Sequence, residues 1–241
     1  MIYWRILLLA LFVILISLMN MPRQIQQVEY SLSHNRTRML ELDLLQAKKE
    51  LAVLSKQPYS LQYVEALDRL GWIYYQLSDV SHAEPTFTKE LEVCAAHQSK
   101  GFDPTYEKCL LSLATYYRER ANYDRAEHFY NLIRQYDLDH TKVPNAKSAR
   151  DLANLGVLYF LWAETNPDLL KRSEMLCHGE SFCETAQTQY QSVPGSERAQ
   201  GDVSATQALI LRELDQPTKA EKAANRSMQI LADAHNKAIE P

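Results

Sequence analysis

Two thiols and an imidazole stand within seven residues at Cys177-His178-Gly179-Glu180-Ser181-Phe182-Cys183, the one local cluster in the chain with the ingredients of metal or redox chemistry. A zinc centre needs four ligands, with its cysteines spaced two to four apart, and no second Cys/His pair lies nearby in sequence. Neither the Cys-x-x-Cys of a thiol oxidoreductase nor the Cys-x-x-Cys-His of a haem attachment occurs. The cluster therefore reads as a disulfide, as free thiols, or as a metal or redox site. The remaining cysteines, Cys94 and Cys109, form a second pair close in sequence. Closing their loop of about 15 residues would stabilise the fold by roughly 3 kcal/mol. The alternative is two small buried apolar residues, the usual state of free cysteines. His82, His97, His128 and His140 fall at no repeated interval. No nucleophile elbow, phosphate-cradling glycine loop, His-Glu-x-x-His or paired-carboxylate arrangement is present, so no catalytic residue, metal or cofactor is expected and the chain reads as a non-enzyme.

What must position these residues is a repeat. Leu70-Gly71 with Tyr74, Leu113-Ala114 with Tyr117, and Leu155-Gly156 with Tyr159 recur at separations of 43 and 42 residues. In the first two units a second block follows in step: Asp79 with Asn122, Ala83 with Ala126, and Phe87 with Tyr130. Small residues facing small residues let two antiparallel helices approach closely, and the aromatic fills the gap to the next pair. A fixed period of this size marks a solenoid, in which one helix pair cannot bury its apolar face alone, and whose usual work is holding a partner. The pattern predicts helices at about 61–77, 81–97, 105–120, 123–136, 146–164, 197–214 and 218–238. The second helix of the third unit should begin at Asn166-Pro167-Asp168, break across Cys177–Cys183 and resume over 184–191.

These residues resemble the tetratricopeptide repeat, whose consensus has Leu-Gly, Tyr, Ala and Phe or Tyr at such spacings; the period near 42 in place of 34 is similar to the kinesin-light-chain variety. The resemblance is strong over Tyr59 to Gln135, partial over Ser148 to Ala163, and loose over Asp202 to Leu231, where Gln207-Ala208 replaces Leu-Gly and Ala220 supplies the small residue. It implies an all-α fold, a right-handed α-solenoid of three to four helical hairpins preceded by a long helix. It also implies that the first helix of each unit lines a concave groove, placing Arg69, Trp72 and Tyr75, then Thr115, Arg118 and Glu119, then Arg150, Asn154 and Phe160 toward a protein or peptide partner. Asn154 would hydrogen-bond peptide backbone, the arginines would meet carboxylates, and the aromatics would anchor an apolar side chain. The competing reading has the charges merely solvating helix faces and the aromatics packing inward.

Composition agrees with helices: 46% hydrophobic and 23% charged residues over 241 positions, with only 6 Gly and 9 Pro. A net charge of −4 gives no broad attraction to phosphate backbones, and no nucleic-acid partner is expected. Ile6 to Met19 is apolar apart from Ser17 and, with its flanks, reaches about the 20 residues of a membrane span. No small-x-small cleavage site follows, so residues 1–23 read as an uncleaved, single-pass signal anchor, with a cleaved signal peptide or a buried helix as alternatives. Residues 24–57 read as a connecting amphipathic helix and 58–241 as the repeat domain. Arg5 before the run and Arg23, Arg36 and Arg38 after it leave orientation undecided. The even cysteine count favours an oxidising, extracytoplasmic side, periplasmic in a bacterium, with the cytoplasmic side still open. Three functions follow: a membrane-tethered adaptor or scaffold that holds a protein segment and supports a membrane or envelope complex; a structural subunit of a secretion or pilus-type machine using its outer faces; or a redox or metal protein using Cys177, His178 and Cys183.

Overall fold

A computed structural model describes residues 35–57, 60–97, 104–140 and 145–239. The expected anchor, residues 1–23, and the first part of the connecting helix lie outside the described residues. Among those described, no helix is long and apolar enough to cross a membrane. They contain no strand: helix α1 covers 35–54, followed by α2 (Leu61–Gln76), α3 (Val80–His97), α4 (Pro104–Glu119), α5 (Tyr123–His140), α6 (Ala146–Thr165), α7 (Leu169–Tyr190), α8 (Glu197–Glu213) and α9 (Pro217–Ile239). The chain divides into two compact units, Met1–Thr86 and Phe87–Pro241.

In the first unit α1 turns Ala47 inward, with Leu40, Leu44, Leu51 and Leu54 half-buried on the same face. That is the three-and-four spacing of an amphipathic helix. Arg69 of α2 reaches Glu50 of α1 at 2.7 Å, and Lys48 lies over the Tyr74 ring. Ser60 caps α2 by accepting from the Tyr63 amide at 3.2 Å.

In the second unit α4 packs on α5, α6 on α7 and α8 on α9 as antiparallel hairpins, while α5 against α6 and α7 against α8 join hairpin to hairpin. The repeat residues do the work their types suggest. Ala83, Ala126, Phe87 and Tyr130 have no exposed surface, and the Phe87 ring meets Tyr116 of the following hairpin at 5.4 Å.

The hairpin turns reveal the repeat more sharply than the side chains do. Ser78, Ala121 and Asp215 all adopt a left-handed backbone, with φ of 60°, 54° and 55°. Each is followed by a residue whose amide returns 2.9 Å to the carbonyl five positions back: Asp79 to Tyr74, Asn122 to Tyr117, and Gln216 to Leu211. This bonding satisfies the orphan carbonyls at the end of the first helix, and the left-handed residue reverses the chain. The carbonyls of Asp79, Asn122 and Gln216 then accept from Ala83, Ala126 and Ala220, opening the second helix. The α8–α9 hairpin is thus a full repeat despite Gln207-Ala208.

The third hairpin departs from this pattern. α6 runs on to Thr165, and α7 starts on Asp168, whose carboxylate accepts from the amides of Leu170 and Lys171. α7 consequently begins 14 residues after Leu155, whereas α3, α5 and α9 begin 10 after Leu70, Leu113 and Gln207. The expected break across Cys177–Cys183 does not occur, and α7 is continuous from Leu169 to Tyr190. Its small residues carry the close approach instead. A Cβ on Gly156 would sit 2.6 Å from Cys183 Sγ and 3.3 Å from the Gly179 carbonyl; one on Gly179 would sit 3.3 Å from the Gly156 carbonyl. Gly179 costs helix propensity but lets the two backbones touch.

Candidate functional site

The register that aligns the hairpins also aligns the joints between them. Cys94 on α3 and Cys109 on α4 stand where Asp137 on α5 and Asp151 on α6 stand one repeat later. The joints share a backbone arrangement and differ in chemistry.

At the α3–α4 joint both cysteines are free thiols and buried, at 3% and 0% exposure. Cys94 Sγ lies 4.0 Å from the Thr105 carbonyl. Hydrogen bonding with Cys94, then burial and the charge of Glu90, push the Cys109 thiol far up, so it holds its proton. A thiol so protonated is a poor nucleophile and a poor metal ligand.

At the α5–α6 joint three carboxylates converge: Glu107 from α4, Asp137 from α5 and Asp151 from α6. All three are buried, Asp151 completely, and their oxygens lie within 4.8 Å of one another. Arg150 binds Glu107 at 2.8 Å and Asp151 at 2.9 Å, and Lys147 binds Glu107 at 3.0 Å. Helix α6 begins here because Asn145 accepts from the amides of Lys147 and Ser148 while Ser148 returns a bond to the Asn145 amide. That cap fixes the first turn carrying both cations. Burial, then the neighbouring charge of Glu107, raises Asp137 above the usual carboxylate range. Burial, against the opposing pull of Arg150, raises Asp151 to about 7. Oδ2 of Asp137 and Oδ2 of Asp151 have no hydrogen-bond partner among the described residues. Beside the joint, Lys147, Arg150, Tyr190, Pro194 and Ser196 line an open cleft of about 440 Å³.

The α7–α8 joint uses a third chemistry. Gln187 donates to Ser204 and Gln207 at 3.1 and 2.9 Å and accepts from Arg226 at 2.9 Å.

The expected groove residues meet different fates. Arg69 is well exposed and tied to Glu50. Trp72 is half-buried, donates to Asp68 at 3.1 Å and meets the half-buried Tyr75 edge-on. Thr115 is half-buried, and its hydroxyl interacts with Tyr130. Arg118 is only 17% exposed, with Tyr130 Oη and Glu119 as partners. Arg150 is engaged at the acidic joint. Asn154 is half-buried on α6. Phe160 belongs to the core of α6, α7 and α8 and cannot line a groove.

The cysteine readings change too. Cys177 is exposed and Cys183 buried, with the Cys183 thiol pushed up to about 12 by burial and by the charges of Glu180 and Glu184. Six residues apart on one continuous helix, their Cα atoms are separated by about 10 Å, beyond disulfide reach, and they point to different faces. His178 is exposed, and its ring meets Tyr159 at 5.4 Å. The three side chains do not assemble a ligand set. Reading residue types in sequence order missed Glu107, Asp137 and Asp151. The signal was in the register: two aspartates at positions that hold cysteines one repeat earlier.

No family model and no curated protein matches the chain. Solved structures do match, among them two crystal structures of a kinesin-light-chain-like protein of Podosopora anserina with nearly identical TPR-like repeats. The first aligns with a TM-score of 0.62 at 11% identity, over 86% of this chain and 94% of that one. The second gives 0.61 at 11%, over 84% and 93%. With the hairpins, the recurring turns and these neighbours together, the fold is an all-α tetratricopeptide-like solenoid of the long-period, kinesin-light-chain type.

Proposed function

We propose that this protein is a membrane-tethered adaptor whose helical repeats hold a segment of a partner protein and so support assembly of a membrane or envelope complex. The observation that carries this reading is the run of stacked hairpins, a fold that serves protein–protein scaffolding. The apolar run Ile6 to Met19 would supply the tether, with the repeats on the extracytoplasmic side. Tethering raises local concentration, so modest affinity suffices. In the first unit Arg69, Trp72 and Tyr75 would make the contacts, Arg69 by exchanging Glu50 for a partner carboxylate. In the second unit Thr115 and Asn154 would contribute polar contacts. Arg118 and Arg150, bound by their own neighbours, would act mainly by shaping the surface.

A pull-down from solubilised membranes tests this, run beside a chain lacking residues 1–23 and beside Arg69→Glu. The adaptor should capture one partner, lose it with Arg69→Glu, and lose membrane association when shortened. A specific partner retained undiminished by Arg69→Glu and by Trp72→Ala would sink the groove assignment. That result would favour a structural subunit working through its outer faces, where Leu169 and Leu170 at the start of α7 stand 79% and 71% exposed.

A further inference from the structure

We propose that Asp137 and Asp151 hold a single proton between them and act as a pH-sensitive latch at the joint of the α4–α5 and α6–α7 hairpins. The joint tightens when the proton is bound and loosens when it leaves.

The argument begins with a count of charge. Three buried carboxylates face two cations that reach them from a half-exposed surface, so full ionisation leaves one uncompensated negative charge on oxygens shielded from water, which is costly. Arg150 and Lys147 already saturate both oxygens of Glu107 and one of Asp151. What remains is one unpartnered oxygen on Asp137 and one on Asp151, each on a residue more than nine-tenths buried. One proton shared between the two carboxyls satisfies both and brings the cluster to neutrality, as in other close carboxylate pairs. A metal cation fits less well, because Arg150 and Lys147 occupy the ligand set with positive charge.

The other groups facing the pair are also placed. Tyr130 of α5 and Tyr190 of α7 are both held protonated by burial, with Asp151 raising each further, and Arg118 partly offsetting this at Tyr130. Asp202 adds negative charge beside Tyr190. Arg118 is the one cation among these groups, and it is bound to Glu119 and Tyr130 rather than to the aspartate pair.

The latch has a defined direction. The folded protein holds a proton that aspartates in the unfolded chain release near pH 3.9. Stability from this site is therefore fully present below about pH 4, declines as pH rises toward about 7, and is flat above. The inference does not depend on the identity of any partner.

Thermal unfolding of the unaltered protein and of Asp151→Asn, followed between about pH 5 and about pH 8, is the test. The unaltered protein should lose on the order of 5 °C more across this range than the variant, whose neutral amide mimics the protonated state. Parallel profiles overturn the latch. Infrared spectroscopy reads the proton directly and works even if the variant fails to fold. A buried carboxylic-acid band in the unaltered protein at the acid end that fades toward the alkaline end supports the proposal, and absence of such a band throughout overturns it.

Discussion

The α3–α4 and α5–α6 joints are the same position of one repeat, and they teach how little the repeat constrains what fills it. Cys94 and Cys109 answer the packing requirement with two small buried thiols beside Glu90, whereas Asp137 and Asp151 answer it with a charged cluster needing Glu107, Arg150 and Lys147 around it. The first joint buries the Glu90 carboxylate completely beside those thiols. The second works only as a set, because each buried charge is tolerable only while its partners stay.

The widest separation between the two joints should come from Arg150→Ala. Removing the guanidinium strands Asp151 and leaves Glu107 to Lys147 alone, which should cost about 3 kcal/mol in urea unfolding of the Phe87–Pro241 unit. Lys108 occupies the matching register position at the first joint and is exposed, so Lys108→Ala should cost no more than about 0.5 kcal/mol. Equal costs for the two would break the comparison.

A second contrast concerns the small residues inside the hairpins. Ala114 is accommodated and fully buried in the second repeat, but Gly156→Ala in the third would drive a methyl into Cys183 Sγ and should cost about 2 kcal/mol. Adding Cys183→Ala should recover much of that loss. No recovery would mean that the Gly179 carbonyl, at 3.3 Å, is the true limit.

The mildest effect belongs to the thiol joint. Cys94→Ala or Cys109→Ala should each cost about 1 kcal/mol, since only a small buried group is removed. In the folded protein a thiol reagent should label Cys177 rapidly and reach Cys94, Cys109 and Cys183 only on unfolding. Labelling of Cys94 or Cys109 as fast as Cys177 would show that joint to be open.

Much of the architecture was legible because it is written locally. The Leu-Gly-Tyr and Ala-Phe blocks are periodic, and periodicity survives in one dimension, so seven of the helices were predicted within four residues at each end. The α7 segment was misread for an equally local reason. Gly179 flanked by Cys, His and Ser looks like a loop or a ligand set, and only its partner Gly156, 23 residues away, makes it a helix-packing residue. Phe160 failed in the same way, since a register position implied exposure while the continuous α7 beside it imposes burial.

Helix content, repeat length and the small and aromatic packing residues of the first two repeats follow from the amino-acid order alone, because each depends on neighbours within a turn or two of helix. The pairing of Arg150 with Glu107, the meeting of Asp137 with Asp151, and the separation of Cys177 from Cys183 were decided only in three dimensions. Charge and proton affinity depend on what lies within a few ångströms and on whether water can reach it, and a repeat brings residues about 14 or 43 positions apart to that distance only once its hairpins have stacked.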